Sequence, residues 1–153
     1  MQRQHQVPRP WALWLFRAVV SLVALLGLVQ AALAGGFLEG HFWALSLHAL
    51  NATMLAGACG LLTVAAILLW RPGRGPGWPA LVCLALIASV GAQIRLGYGR
   101  VLAVHVPLGV AIIVAIVLML AWAFRRRPAA VPGAHTAPVR GRSDEAFADE
   151  VRS

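Results

Sequence analysis

Charge is scarce in this sequence of 153 residues. Charged side chains make up 12% of the chain and hydrophobic residues 60%, and all thirteen basic residues are arginine, so lysine is absent. A soluble domain of this size and composition would be coated in apolar side chains. The composition therefore favours a protein whose surface faces lipid.

Four long apolar runs account for this composition, and they cover residues 11–34, 42–70, 78–96 and 101–124. Each run is near or above the ~20 residues that a helix needs to cross a bilayer. Arg17 and Arg95 are the charges inside them, close enough to helix ends for their side chains to reach the headgroups. We expect Gly35 and Gly36 to end the first helix. The predicted fold is all-α, a four-helix transmembrane bundle with up-down-up-down connections.

The first run also resembles a secretory signal sequence, because a basic start and an apolar stretch precede Ala32-Leu33-Ala34. Its length of about 24 residues exceeds the ~7–15 of a signal core. Cleavage would also leave three helices with reversed loop charge. We therefore expect the first run to remain as a transmembrane helix.

The positions of the arginines predict the orientation of the chain. Eleven of them lie at one end of the predicted bundle: before or near the start of the first run, in the loop between the second and third runs, or after the fourth run. Only Arg95 and Arg100 lie near the two connections at the other end. The positive-inside rule then predicts a multi-pass protein of the cell membrane with both termini in the cytoplasm. Residues 1–10 are the expected N-terminal tail, residues 11–127 the transmembrane domain, and residues 128–153 a disordered cytoplasmic tail.

The expected partners of these arginines are anionic lipid headgroups at the cytoplasmic face. Nucleic acid is not expected, because the arginines cap apolar helices and no folded basic domain accompanies them. Association into a homo-oligomer is compatible with the composition.

The two halves of the bundle look like an approximate repeat. In each hairpin a glutamine near the end of the rising helix precedes a glycine turn and a histidine near the start of the descending helix: Gln30 and His48 in the first, Gln93 and His105 in the second. At ~1.5 Å per residue, all four reach a level roughly 6–9 Å below the outer boundary. Such symmetry is typical of halves that pack about a pseudo-two-fold axis with a shared site between them.

The two histidines are candidate axial ligands of one metal, because they lie at matching depth on helices that run in the same direction. Ala52 and Gly109 follow them by one helical turn, which would leave room for the edge of a flat macrocycle. Small residues at this spacing also permit close helix packing without any cofactor. Both interpretations stay open on spacing alone.

A structural interpretation of the histidines is the main alternative. Each imidazole could donate a hydrogen bond to a facing Gln30 or Gln93, or to Asn51 or Ser46, and so form a polar clasp within the bundle. Proton or quinone handling is a third interpretation. His41 lies beside Glu39 in the outer connection, where a solvated histidine is the usual outcome.

Three segments carry a resemblance to known proteins: residues 30–35 (QAALAG), 47–52 (LHALNA) and 105–109 (HVPLG). Over about residues 22–115 the chain resembles a group of small four-helix integral membrane proteins of actinobacteria. It is more distantly similar to one four-helix half of haem A synthase, a family whose halves hold haem between histidines on the second and fourth helices. His48 and His105 match those positions by helix number and depth. The family's loop cysteines and second half are missing here, so the resemblance implies haem binding without haem A synthesis.

The predicted function is that of a b-type haem protein of the membrane. His48 and His105 are the expected axial ligands, and the expected neighbours of the ligands or propionates are Gln30, Asn51, Ala52, Gln93 and Gly109. Two histidine ligands leave no open position on the iron, which favours electron transfer or haem handling, with a redox partner or a quinone. The alternative is a non-catalytic membrane subunit or scaffold. No nucleophile–base pair, phosphate loop or carboxylate pair falls within the apolar runs, which counts against a hydrolase.

Overall fold

A computed structural model describes residues 8–126 as four α-helices. They are α1 (Pro10–Leu38), α2 (Trp43–Trp70), α3 (Trp78–Tyr98) and α4 (Leu102–Arg125). Each is long and apolar enough to cross a membrane, and the described residues contain no strand. The predicted all-α four-helix bundle is confirmed, and the chain is a multi-pass membrane protein. The tail predicted at residues 128–153 lies outside the described residues.

The helices form a closed ring in which each one packs against two others. α1 packs against α2 and α4, and α3 packs against the same two helices. No Cα atom of α2 lies within 8 Å of a Cα atom of α4, so these two helices face each other across a diagonal. Short connections make successive helices antiparallel, as the up-down-up-down prediction requires.

The core is apolar and so is most of the outer surface. The largest fully buried side chains include Leu13, Phe16, Leu62, Leu69 and Ile116. Large aliphatic side chains are also exposed along the middle of the helices, as in a bundle whose outer surface faces lipid and whose backbone polar groups are all satisfied within helices.

The expected end of the first helix at Gly35 and Gly36 is wrong. α1 continues to Leu38, and the chain turns at Glu39 and Gly40, where Gly40 has a φ of 95°. Glycine costs a helix only about 1 kcal/mol, whereas backbone groups left without partners in lipid cost several. The helix therefore continues through both glycines and ends at a glycine with a left-handed backbone conformation.

Arg17 does not reach out to the headgroups as predicted. Its side chain is 7% exposed, and its Nε and Nη2 atoms donate hydrogen bonds to the carbonyls of Ala123 (3.1 Å) and Arg126 (2.6 Å). The last carbonyls of a helix have no partners within that helix. Arg17 therefore caps the end of α4 and joins it to α1.

The loop between α2 and α3 is held by backbone hydrogen bonds. The amides of Gly73 and Gly75 donate to the carbonyls of Leu68 (2.8 Å) and Leu69 (2.7 Å), and the amide of Arg9 donates to the carbonyl of Gly73 (2.8 Å). A Cβ atom at Gly73 would lie 2.5 Å from the carbonyl oxygen of Leu69 and 2.8 Å from Cβ of Ala12. The loop therefore needs glycine at position 73, and it ties α2 to the start of α1.

Candidate functional site

Polar side chains from all four helices meet in one layer near the end of the bundle that carries the two short turns. This polar layer consists of Gln30, His48, Asn51, Gln93 and His105. Asn51 is buried and the other four are partly buried. The structure thus brings together the polar residues that the sequence placed at matching depth.

The first half of the layer is a connected hydrogen-bond network between α1 and α2. Asn51 Nδ2 donates to the carbonyl of Leu26 (3.0 Å) and to Gln30 Oε1 (2.6 Å). Gln30 Nε2 lies 3.0 Å from His48 Nε2, and His48 Nδ1 lies 3.2 Å from the backbone carbonyl of Gln30. Gln30 therefore contacts both ring nitrogens of His48, and Asn51 fixes the orientation of its amide.

The second half repeats part of this arrangement between α3 and α4. His105 Nδ1 lies 3.0 Å from the backbone carbonyl of Gln93, which matches the contact between His48 and Gln30. Gln93 differs from Gln30 because its Nε2 donates to the carbonyl of His105 at 2.9 Å. Its Oε1 is buried without a hydrogen-bond partner among the described residues.

The same tautomer follows for both histidines. A backbone carbonyl can only accept a hydrogen bond, so Nδ1 of each imidazole must carry a proton. In a neutral ring Nε2 then holds the lone pair. In the first half this is consistent with the N–H of Gln30 donating to His48 Nε2.

The two imidazoles approach each other across the diagonal of the bundle. Their ring centres are 6.3 Å apart, although α2 and α4 make no close backbone approach. The histidines therefore extend toward each other from opposite helices and meet near the bundle axis.

Two of the small residues near the layer have defined neighbours. A Cβ atom at Gly97 would lie 3.1 Å from Cε1 of His105, and one at Gly109 would lie 2.8 Å from Nε2 of Gln93. Both glycines thus make room for polar side chains of the second half. Ala52 is half-buried on α2, one turn after His48.

Other candidate groups are less promising. Glu39 Oε2 and His41 Nδ1 are 4.0 Å apart, with side chains 76% and 55% exposed. Within residues 8–126 no three His, Cys, Asp or Glu side chains form a metal-binding group. A macrocycle that supplies its own four nitrogens needs only two protein ligands, fewer than such a group contains.

Sequence reasoning missed the backbone contribution to the site. The carbonyls of Gln30 and Gln93 orient the two rings, whereas only the glutamine side chains were expected to contact them. The contact could have been predicted from the repeated order of glutamine, turn and histidine, because this order places each histidine opposite the glutamine of the same hairpin.

Comparison of the chain with protein-family models, with curated proteins and with solved structures found no match. The resemblances described from the sequence remain predictions.

Asn51→Leu is expected to destabilise the bundle by about 1 kcal/mol, because it removes both hydrogen bonds of a buried amide and leaves Gln30 Oε1 without its donor. Denaturant titration in detergent micelles, followed by circular dichroism, measures the change. Thr53→Val is the matched control, because the Thr53 hydroxyl bonds only to the carbonyl of Ala49 in its own helix. Equal stability of the two variants would show that the Asn51 bonds contribute nothing net.

Proposed function

We propose that the protein binds b-type haem in the membrane, with His48 and His105 as the two axial ligands. The observation that carries the proposal is the distance of 6.3 Å between their ring centres. A metal–nitrogen bond of about 2 Å and about 1 Å from the nitrogen to the ring centre place two imidazoles on one metal about 6 Å apart. The observed separation across the diagonal is close to the value expected for two axial ligands.

The hydrogen bonds of the rings support the same assignment. Histidine ligands usually donate their second ring N–H to a carbonyl or carboxylate, which fixes the tautomer and raises the basicity of the ligating nitrogen. The carbonyls of Gln30 and Gln93 accept Nδ1–H of His48 and His105, so Nε2 carries the lone pair that a metal would need in each ring. Haem bound by two histidines supplies reversible one-electron transfer.

Four further residues contribute to this function. Gln30 Nε2 must move away from His48 Nε2 when that atom ligates, and Asn51 Nδ2 is the donor that holds Gln30 Oε1. Gln93 Oε1 is a buried acceptor, able to receive a hydrogen bond from a protonated propionate. Ala52 and Gly109 keep side-chain bulk small one turn from each histidine. The resemblance to one half of haem A synthase agrees with this proposal.

A structural clasp is the second candidate. It is favoured by the contact of 3.0 Å between Gln30 Nε2 and His48 Nε2, which already occupies the nitrogen that a metal would need. In this role the polar layer joins the helices of a membrane subunit or scaffold, and no cofactor is involved.

Absorption spectroscopy separates the two candidates. Protein expressed with ample haem and purified in detergent is expected to show the sharp visible bands of low-spin ferrous haem after reduction, and a pyridine haemochrome assay is expected to give haem b at one per chain. Protein that purifies without haem under these conditions contradicts the proposal and leaves the clasp.

The orientation belongs to the same proposal. With both termini in the cytoplasm of a cell-membrane protein, the polar layer lies in the outer leaflet, and most of the arginines lie at the cytoplasmic face at the level of the lipid headgroups. A redox partner or a quinone then exchanges electrons with the haem near the outer face. A reporter enzyme that is active only outside the cytoplasm, fused after Ser153, is expected to be inactive. Activity of this fusion would contradict the orientation.

A further inference from the structure

One end of the bundle carries a concentration of positive charge that has no acidic partner among residues 8–126. We define the arginine collar as Arg9, Arg71, Arg74, Arg125 and Arg126, which lie where α1 begins, where α2 joins α3 and where α4 ends. The first four are exposed and Arg126 is partly exposed. Glu39 is the only carboxylate among residues 8–126, and it lies at the opposite end of the bundle.

Backbone hydrogen bonds and contacts with tryptophan rings position the arginines of the collar. Backbone hydrogen bonds close the loop of Arg71 and Arg74 and join it to Arg9. The guanidinium groups of Arg71 and Arg126 lie over the rings of Trp70 (4.5 Å) and Trp122 (5.0 Å). Stacking over a ring leaves the N–H edge of a guanidinium free to bind carboxylates.

The remaining carboxylates of the chain lie close together in the sequence. Residues 144–150 (DEAFADE) contain four of the five acidic residues, with Phe147 between them, and Arg142 and Arg152 flank the segment. Seventeen residues, 127–143, connect it to the end of α4. A chain of that length can span at most about 60 Å, more than the width of a bundle whose helix axes are about 10 Å apart.

We propose that residues 144–150 dock onto the arginine collar of the same chain. Four carboxylates meet five guanidinium groups that have no other acidic partner among the described residues, and the covalent connection raises the effective concentration of the segment to the millimolar range. The docked segment covers the surface that anionic headgroups would otherwise contact. Its release by salt or by such lipids exposes the collar.

Limited proteolysis of the full chain tests the docking. The protein is placed in nanodiscs of phosphatidylcholine, a lipid without net charge, and digested with a glutamate-specific endoproteinase that cleaves after Glu145 and Glu150. An isotope-labelled peptide of residues 140–153 in the same tube reports cleavage of the free segment. We expect the attached segment to be cut about fivefold more slowly than the peptide at low salt, and at nearly the same rate in ~0.5 M NaCl.

Matched variants separate docking from simple attachment to a disc. Arg71→Gln/Arg74→Asn is expected to raise cleavage to the rate of the peptide, whereas Arg95→Gln/Arg100→Asn, at the other end, is expected to leave the protection unchanged. Arg74 and Arg100 both have positive φ angles (57° and 55°), so the two pairs place the same demand on the backbone. A segment cut as fast as the peptide at low salt overturns the proposal and leaves anionic lipid as the partner of the collar. Protection that is equal in both variants also overturns it.

Discussion

Replacing either His48 or His105 with alanine is expected to abolish the low-spin haem spectrum of the purified protein. Each variant removes one of the two nitrogens that approach the bundle axis from opposite helices, and alanine supplies no ligand in its place. The remaining histidine would hold five-coordinate, high-spin haem at most. We expect the sharp bands of the reduced protein to be lost or broadened, with the affinity for haem reduced by tenfold or more, equivalent to at least about 1.4 kcal/mol.

His41→Ala is the matched control for these variants. His41 belongs to the same end of the bundle, but its side chain is exposed and lies beside Glu39, outside the polar layer. Its replacement is expected to leave the spectrum and the haem content unchanged. Parental spectra in both His48→Ala and His105→Ala would exclude these residues as ligands, even if the protein binds haem elsewhere.

Gly73→Ala is expected to destabilise the protein by about 2 kcal/mol or more. The added Cβ atom would lie 2.5 Å and 2.8 Å from the carbonyl oxygens of Leu69 and Leu68, and 2.8 Å from Cβ of Ala12. Backbone atoms cannot rotate away as a flexible side chain can, so the α2–α3 loop must shift, and its hydrogen bond to Arg9 is strained or lost. Thermal unfolding in detergent, followed by circular dichroism, is expected to show a lower midpoint.

Gly57→Ala provides the comparison. Gly57 lies within α2, and apart from the adjoining residues and backbone of its own helix no atom lies within 4 Å of the position of its missing Cβ. Alanine is the better helix former by up to about 1 kcal/mol, so this variant is expected to be as stable as the parent or slightly more stable. If Gly73→Ala unfolds at the same temperature as Gly57→Ala, the loop is not the rigid link between α1 and α2 that the contacts indicate.

The sequence was sufficient to predict most of the fold. The second, third and fourth apolar runs agree with α2, α3 and α4 to within two residues at each end, because the flanking charges, prolines and glycines stop both the apolar run and the helix. α1 continues beyond Gly35 and Gly36 because backbone groups without hydrogen-bond partners cost more free energy in lipid than glycine costs in a helix. The course of the Arg17 side chain depended on the carbonyls at the end of α4, which lie more than 100 residues away in the sequence.

The candidate site was predictable in its depth but not in its bonding. Counting residues along each hairpin places Gln30 and His48, and likewise Gln93 and His105, at one level. Whether a ring contacts a side chain or a backbone carbonyl depends on the rotation of each helix about its axis. That rotation is set by packing against neighbouring helices. The four helices are apolar on nearly every face, so their sequences do not indicate which face of each helix points into the bundle.

The hydrogen bonds of the polar layer stay within hairpins, and this has a consequence for assembly. Every side-chain hydrogen bond of His48 is made to α1, and that of His105 is made to α3, so the tautomer and direction of each ring are set by the preceding helix of its own hairpin. Each hairpin therefore contains the groups that orient its own imidazole. The space between the two imidazoles forms only where the hairpins pack against each other.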